Sequence, residues 1–373
     1  MLNLLEQIQQ LPDPRQANKC TYQLGDIVFI VLCGLLADAD DWKAIACYAR
    51  EKEDWFRQFL TLPDRLPSAD TFNRVFSLLA PESFHDLFIA WVKDVLLKGQ
   101  LPSGVIAVDG KTQRGSRTVN TEGIHTINAW STEAGICLGQ LKTATKSNEI
   151  TAVPELLKKL VITGCLVTTD AMSCQKKIAQ QILSQKADYL LAVKQNQPTL
   201  YNTIDQQFMA YWASHPEDHP DTAVFSEQAD AKHGRGEHRR CWVLPAESLP
   251  DQFAEWGIQT LAAVQYDRVK GKRKQSYMRY FISSRLMEAS EVLLATRQHW
   301  SVENSLHWVL DVAFNEDHSR ARQGFAAENL ATARQVALNL LKQDTVTKMG
   351  IKNKRKRCGW SQQYLQSILG LVS

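Results

Sequence analysis

Between residues 105 and 194 the chain alternates short apolar runs with helical periods in an order that few folds accommodate. Val105–Asp109 reads as a strand, His125–Thr132 as a second and Ile136–Thr143 as a third, separated by glycine-containing turns. A helix follows over roughly Thr151–Leu160. Pro154 falls in its first turn, where a missing N–H costs little, and Glu155 near the positive end of the helix dipole. Cys165–Thr169 reads as a fourth strand, Gln175–Lys186 as a helix with Ile178, Ile182 and Leu183 on one face, and Asp188–Lys194 as a fifth strand. Three consecutive strands on short turns imply an antiparallel meander, to which the later αβ units add parallel strands.

This β-β-β-α-β-α-β order predicts an α/β fold with a ribonuclease-H-like mixed sheet, in which the first and fourth strands lie side by side. Asp109 closes the run Val105-Ile-Ala-Val108 and opens Asp-Gly-Lys-Thr, and Asp170 closes the fourth strand, so the two carboxylates would meet. Turn and helix-cap roles are the plainer readings of these two residues, and capping can coexist with metal binding. A third acid comes from a helical segment far downstream. There His299, Glu303, His307 and Asp311 recur every four residues and form one polar stripe, with Trp300, Leu306 and Leu310 off it toward the core. Glu303 lies inside the stripe and is preferred to Asp311, Glu316 and Asp317. Two acids at strand ends and a third on a helix suit two Mg²⁺ ions, with Mn²⁺ as a substitute, because magnesium favours carboxylate oxygens and retains several waters. Such a pair, ~3.5–4 Å apart, activates an attacking oxygen and stabilises a leaving 3′ oxygen, which is phosphodiester chemistry on nucleic acid.

The 373 residues, 44% hydrophobic, allow two or three domains. Residues 1–100 read as helices over roughly 22–37, 41–60, 68–79 and 81–97. The segment starting at Ser68 resembles a helix-turn-helix in outline, with Thr71, Asn73 and Arg74 as candidate groove contacts and a packing or dimerisation module as the alternative. Residues 101–199 form the first part of the core, and the catalytic helix within 286–345 completes it. The intervening 200–285, with strand-like runs at Arg240–Leu244, Thr260–Tyr266 and Tyr277–Ile282, reads as a β-rich insertion. Of the 43 Lys/Arg and 40 Asp/Glu, 10 and 14 fall in residues 1–100, leaving 33 and 26, or +7, for the rest. Three basic clusters, at 233–240, 268–274 and in a C-terminal tail over 346–373 (Lys352–Arg357), suit a polyanion. The eight cysteines include no C-x-x-C pair and fit reduced thiols of a cytoplasmic protein. The longest apolar stretch, Ile27–Ala37, is well short of the ~20 residues that span a bilayer, and no secretion signal is expected at the N-terminus.

Several long segments resemble the H-repeat-associated group of bacterial insertion-sequence transposases. They are Asp109-Gly-Lys, Lys146-Ser-Asn-Glu-Ile-Thr-Ala-Val-Pro-Glu-Leu-Leu157, Thr169-Asp-Ala-Met-Ser-Cys-Gln175, Tyr189-Leu-Leu-Ala-Val-Lys-Gln-Asn-Gln197 and His299-Trp-Ser-Val-Glu-Asn-Ser-Leu-His-Trp-Val-Leu-Asp311. The likeness runs from Leu11-Pro-Asp-Pro-Arg15 to the tail. It implies a DDE transposase in which Asp109, Asp170 and Glu303 bind the metal and the N-terminal helices read terminal inverted repeats. Double-stranded DNA, at the element ends and at the target, is the implied partner, handled by at least a dimer without any membrane. Many related transposases place Tyr, Arg and Lys around the catalytic Glu, where this chain has Thr296, His299 and Leu310. Their phosphate contacts therefore do not transfer, and helical spacing offers Arg297, His299 or His307 as substitutes. Lys111, Lys194, Asn196 and Gln197 are further candidate DNA contacts, the last three with strand capping as the alternative. Two other functions compete: a catalytically inactive DNA-binding protein or repressor derived from such an element, and a ribonuclease-H-like nuclease without end specificity.

Overall fold

The computed structural model describes residues 4–117, 122–143, 148–215, 224–232, 235–270 and 273–371. The first five strands are β1 (Val105–Thr112), β2 (His125–Ser131), β3 (Ile136–Thr143), β4 (Leu166–Thr169) and β5 (Asp188–Val193), in the order and within a few residues of the positions the sequence implies. β1 pairs antiparallel with β2 and parallel with β4, and β4 pairs parallel with β5. The insertion supplies β6 (Phe225–Lys232), β7 (Arg235–Pro245), β8 (Thr260–Lys270) and β9 (Arg273–Ser283). These do not form a separate layer. β9 pairs with β5, Val193 opposite Tyr280, which gives one nine-stranded mixed sheet in the order β3-β2-β1-β4-β5-β9-β8-β7-β6. The polar segment Phe225-Ser-Glu-Gln-Ala-Asp-Ala-Lys232 has too little apolar alternation to be read as a strand, but the open edge of β7 recruits it. His233, Gly234 and residues 271–272 of the two basic clusters here lie outside the described residues.

The N-terminal region is helical: α1 (Leu4–Ile8), α2 (Leu24–Leu36), α3 (Trp42–Glu51), α4 (Glu53–Phe56), α5 (Ala69–Leu78) and α6 (Pro81–Trp91). Asp41 and Ser68 cap α3 and α5 through their side-chain oxygens. α2 is apolar nearly all round and every residue of it is buried, as expected of a helix enclosed by others. After the first three strands come α7 (Glu149–Lys159), α8 (Lys176–Ser184) and α9 (Pro198–Ser214). α7 begins two residues earlier than its sequence suggests, with Glu149 bonded to His125, so Pro154 lies inside the helix and not in its first turn.

Beyond the sheet run α10 (Ala289–His299), α11 (Trp308–Ala313), α12 (Ala326–Gln343), α13 (Ile351–Trp360) and α14 (Gln362–Leu369). α12, buried from Ala326 to Leu341, packs against α2, α5, α6 and β3 and so joins the N-terminal helices to the sheet. One apolar cluster extends from Leu4 to Leu369, across the boundaries suggested at 100 and 345. The basic C-terminal tail is corrected to a packed helical pair. Arg355 is fully buried, donating to Leu35 O at 2.7 Å and Asp40 Oδ1 at 2.6 Å, and Lys354 donates to Leu341 O at 3.1 Å. These two buried cations satisfy helix-end carbonyls and half-buried carboxylates, which removes them from any DNA surface. A second apolar cluster, built on Val105, Leu166, Leu190 and the inner face of α10, covers the opposite side of the sheet.

Candidate active site

The parallel register of β1 and β4 ends at Val108 opposite Thr169, so Asp109 and Asp170 lie level on adjacent strands. Asp170 follows the end of β4, but Asp109 does not close β1, which continues to Thr112 against β2. Asn128 on β2 pairs with Asp109. Strand alternation turns these three side chains to the face that α10 and α11 cover. The helical stripe meets them there. His299 Nδ1 is 3.0 Å from Thr168 Oγ1, His307 Nδ1 is 3.7 Å from Asp109 Oδ2, and Lys111 Nζ is 2.6 Å from Asp311 Oδ1. Between α10 and α11 a π-helical turn, Glu303–His307, adds a residue to the helix, and Glu303 Oε2 accepts from His307 Nδ1 at 3.0 Å. Leu306 and Leu310 are buried as expected, but Trp300 is 46% exposed and lies against a cleft instead of the core.

Ligand-capable atoms of Asp109, Glu303 and His307 all lie within 4.8 Å of one another. Asp170 lines the same cleft as Asp109, and its Oδ1 accepts the Ser173 N–H at 3.2 Å, so it also caps the turn that follows. Burial pushes the Asp109 carboxyl up to about 6, and the neighbouring charges of Asp170 and Glu303 add to that against the opposing pull of His307. The His307 hydrogen bond, in contrast, holds the Glu303 carboxyl below its ordinary range. A buried Asp109 whose charge is made costlier by two neighbouring carboxylates, with the His307 imidazole among them, makes a donor set suited to a hard divalent cation. Gly110 is required behind this row. A Cβ there would stand 2.6 Å from His125 Nε2 and closer still to Glu149 Oε1, two side chains that share a 2.5 Å hydrogen bond under the sheet.

The candidate DNA contacts divide. Lys111 is corrected: it is 7% exposed, and its ammonium lies among Asp311, the buried Glu316 (3.1 Å) and Asp317 (3.8 Å), where it is committed to neutralising these acids. His299 is corrected as a cationic substitute, because burial pushes it down to about 4 and leaves it neutral against Thr168. His307, 3% exposed, belongs to the acid cluster and not to a DNA surface. Asn196 donates to Ala171 O at 2.7 Å and Gln197 to Cys174 O at 3.0 Å, so both hold the loop that follows Asp170. Lys194 is exposed on the Asp109–Asp170 cleft, and Arg297 lies beside Glu303 in a neighbouring cleft of about 910 Å³. In α5, Asn73 is bonded to Gln323 at 2.8 Å and Thr71 to Ser68 at 3.1 Å, which leaves Arg74 as the exposed member of that trio. Asn128 was not anticipated. It is a buried amide opposite Asp109, 3.5 Å from His307 Nε2 and bonded to Gln335, and the signal for it was a polar residue in a strand buried throughout.

Residues 100–340 match the family model described as Transposase DDE domain, and residues 5–92 the model described as DDE_Tnp_1-associated. The chain is 39% identical over its whole length to the protein named "Putative transposase YncI" of Escherichia coli O157:H7, covering 95% of that protein. It is 38% identical, over 98% of this chain and 97% of the other, to the "H repeat-associated putative transposase YhhI" of Escherichia coli K12. Among solved structures, a cryo-EM synaptic complex of piggyBac transposase with hairpin DNA matches with a TM-score of 0.44 at 11% identity, over 99% of this chain and 79% of that one.

Proposed function

This chain belongs to the DDE transposase family, and we propose that Asp109, Asp170 and Glu303 form the site at which it cuts DNA at its element's ends and joins the freed 3′-OH to target DNA. The observation that carries the assignment is the meeting of Asp109, within β1, and Glu303, with Asp170 following β4 on the adjacent strand. The strand order, with β1 flanked by β2 and β4, supports a ribonuclease-H-like core.

Divalent cations held by these carboxylates, two Mg²⁺ in this reading, would supply Lewis-acid stabilisation of the attacking and leaving oxygens. The protein's own residues set the geometry. β1 and β4 hold Asp109 and Asp170 a strand spacing apart, about 4.8 Å. His307 draws Glu303 toward Asp109 from the helix side, and Asn196 and Gln197 fix the backbone after Asp170. The substrate is duplex DNA, and joining two ends brings at least two protomers together.

The test uses purified protein, Mg²⁺ and a duplex ending in the inverted repeat that flanks the gene, beside an Asp109→Asn variant. Native protein should nick and join these ends, while the variant binds without cutting. Equal cutting of unrelated duplexes would replace this reading with a general nuclease, and binding without any metal-dependent product would replace it with a repressor.

A further inference from the structure

The cleft beside the aspartates, about 580 Å³, lies between the sheet and α10, and its described cations are Arg279 and Lys194. Arg279 projects from β9. Its guanidinium carbon stands 5.4 Å from the Tyr266 ring centroid, 5.2 Å from Tyr277 and 5.4 Å from Trp300. Three aromatic rings therefore fix a planar, permanently charged group at the cleft wall. Two other cations of the β-rich insertion are already committed, Arg240 to Asp267 at 3.1 Å and Arg268 to Glu237 at 3.3 Å. The Arg279 side chain forms no hydrogen bond or ion pair with any described residue, which leaves its guanidinium donors for a ligand.

Register places it relative to the acids. Phe281 pairs with Ala192, which lies level with Asp170, and Arg279 is two residues from Phe281 on the same face. Two strand spacings across and two residues along put its Cα about 12 Å from that of Asp170. At that separation it meets a phosphate near the one being cut, not the scissile phosphate itself. A guanidinium with free paired donors recognises a phosphodiester bidentately.

We propose that Arg279 binds a backbone phosphate of the DNA strand one or two nucleotides from the cleavage point, with Tyr277 and Trp300 holding the guanidinium in place. The proposal rests on the transposase reading of the cleft. Its test is a binding measurement that needs no chemistry. Every protein carries Asp109→Asn, and the probe is an end duplex built from the DNA flanking the gene, in which single phosphates near the cut are replaced by neutral methylphosphonates.

With Arg279 intact, one linkage should stand out, its replacement weakening binding about tenfold to a hundredfold, as expected for loss of a charge-assisted contact. Arg279→Gln should weaken binding to unmodified DNA by a similar factor and abolish the extra penalty at that linkage. Arg279→Lys keeps the charge and should retain the same linkage with a smaller penalty. It also covers the case in which the glutamine variant fails to fold. Identical penalties at every linkage in the arginine, glutamine and lysine forms, each verified as folded by thermal melting, would overturn the proposal and assign Arg279 to the aromatic packing alone. Failure of the transposase reading looks different: the protein with native Asp109 would give no Mg²⁺-dependent nick on the same duplex.

Discussion

Gly110→Ala is the smallest change that should disable the site without touching an acid. The added methyl would sit 2.6 Å from His125 Nε2 and nearer to Glu149 Oε1, well inside contact distance. Neither obstacle is a free side-chain end. His125 is 4% exposed, bonded to Thr112 Oγ1 at 2.7 Å on one side and to Glu149 at 2.5 Å on the other, and Glu149 is likewise 4% exposed. Overpacking of this kind costs about 1–3 kcal/mol, and parting a buried hydrogen-bonded pair adds about 1–3 kcal/mol. A loss of about 2–6 kcal/mol in urea unfolding is expected from those two costs together. If β1 yields instead, Asp109 moves with it, and a displacement of ~1 Å costs about 100-fold in rate. The assay is a double-mutant cycle in Glu149→Ala, which removes the nearer obstacle and releases His125 from one of its two hydrogen bonds so that the ring can shift. In that background Gly110→Ala should cost at least ~1 kcal/mol less than in the native protein, which is the coupling the cycle reads. Additive losses, or a Gly110→Ala protein with native stability and nicking rate, would refute the claim that the glycine makes room for the pair under the sheet.

Lys111→Met should destabilise the fold by about 3–5 kcal/mol in denaturant titration, because it strands Glu316, 2% exposed, without its 3.1 Å partner. Asp26, 2% exposed with Oδ2 unpartnered, is pushed up to about 6 by burial. The native state thus holds its proton more tightly than the unfolded chain, and stability should fall by at most about 3 kcal/mol as pH rises from about 4 to 6. Asp26→Asn should flatten that decline in thermal melts. In the C-terminal helices, neutralising Lys352, Lys356 and Arg357 should lower the salt slope of DNA binding by up to ~0.9 for each phosphate no longer neutralised. Arg355→Met, by comparison, should lower melting temperature by removing the partner of Asp38 (3.0 Å) and Asp40 (2.6 Å).

The core of the fold was legible because strand alternation and two aspartate-terminated apolar runs are local signals. β1 to β5 follow from them, and so does the placing of Asp109 and Asp170 level on adjacent strands. The four-residue stripe also held its direction, since His299, His307 and Asp311 each touch a residue on β1 or β4. Charge proved harder to place. Lys111 and Arg355 look like surface cations in sequence, yet their partners Asp311 and Asp40 lie 200 and 315 residues away. The aromatic setting of Arg279 was equally hidden, because Tyr266, Tyr277 and Trp300 converge only when β8 and β9 join the sheet beside β5. In the N-terminal helices the periodicity was plain. The groove-facing role of α5 was not supported, since α12 lies against that helix and Gln323 takes Asn73.

The most direct measurement is anomalous diffraction from crystals of the native protein soaked in Mn²⁺. Density is expected between Asp109 and Glu303, at a position that Asp170 also reaches, about 2.2 Å from carboxylate oxygens, and it should vanish in Asp109→Asn crystals. Manganese bound elsewhere, with this row of acids left bare at saturating concentration, would contradict the assignment of the site.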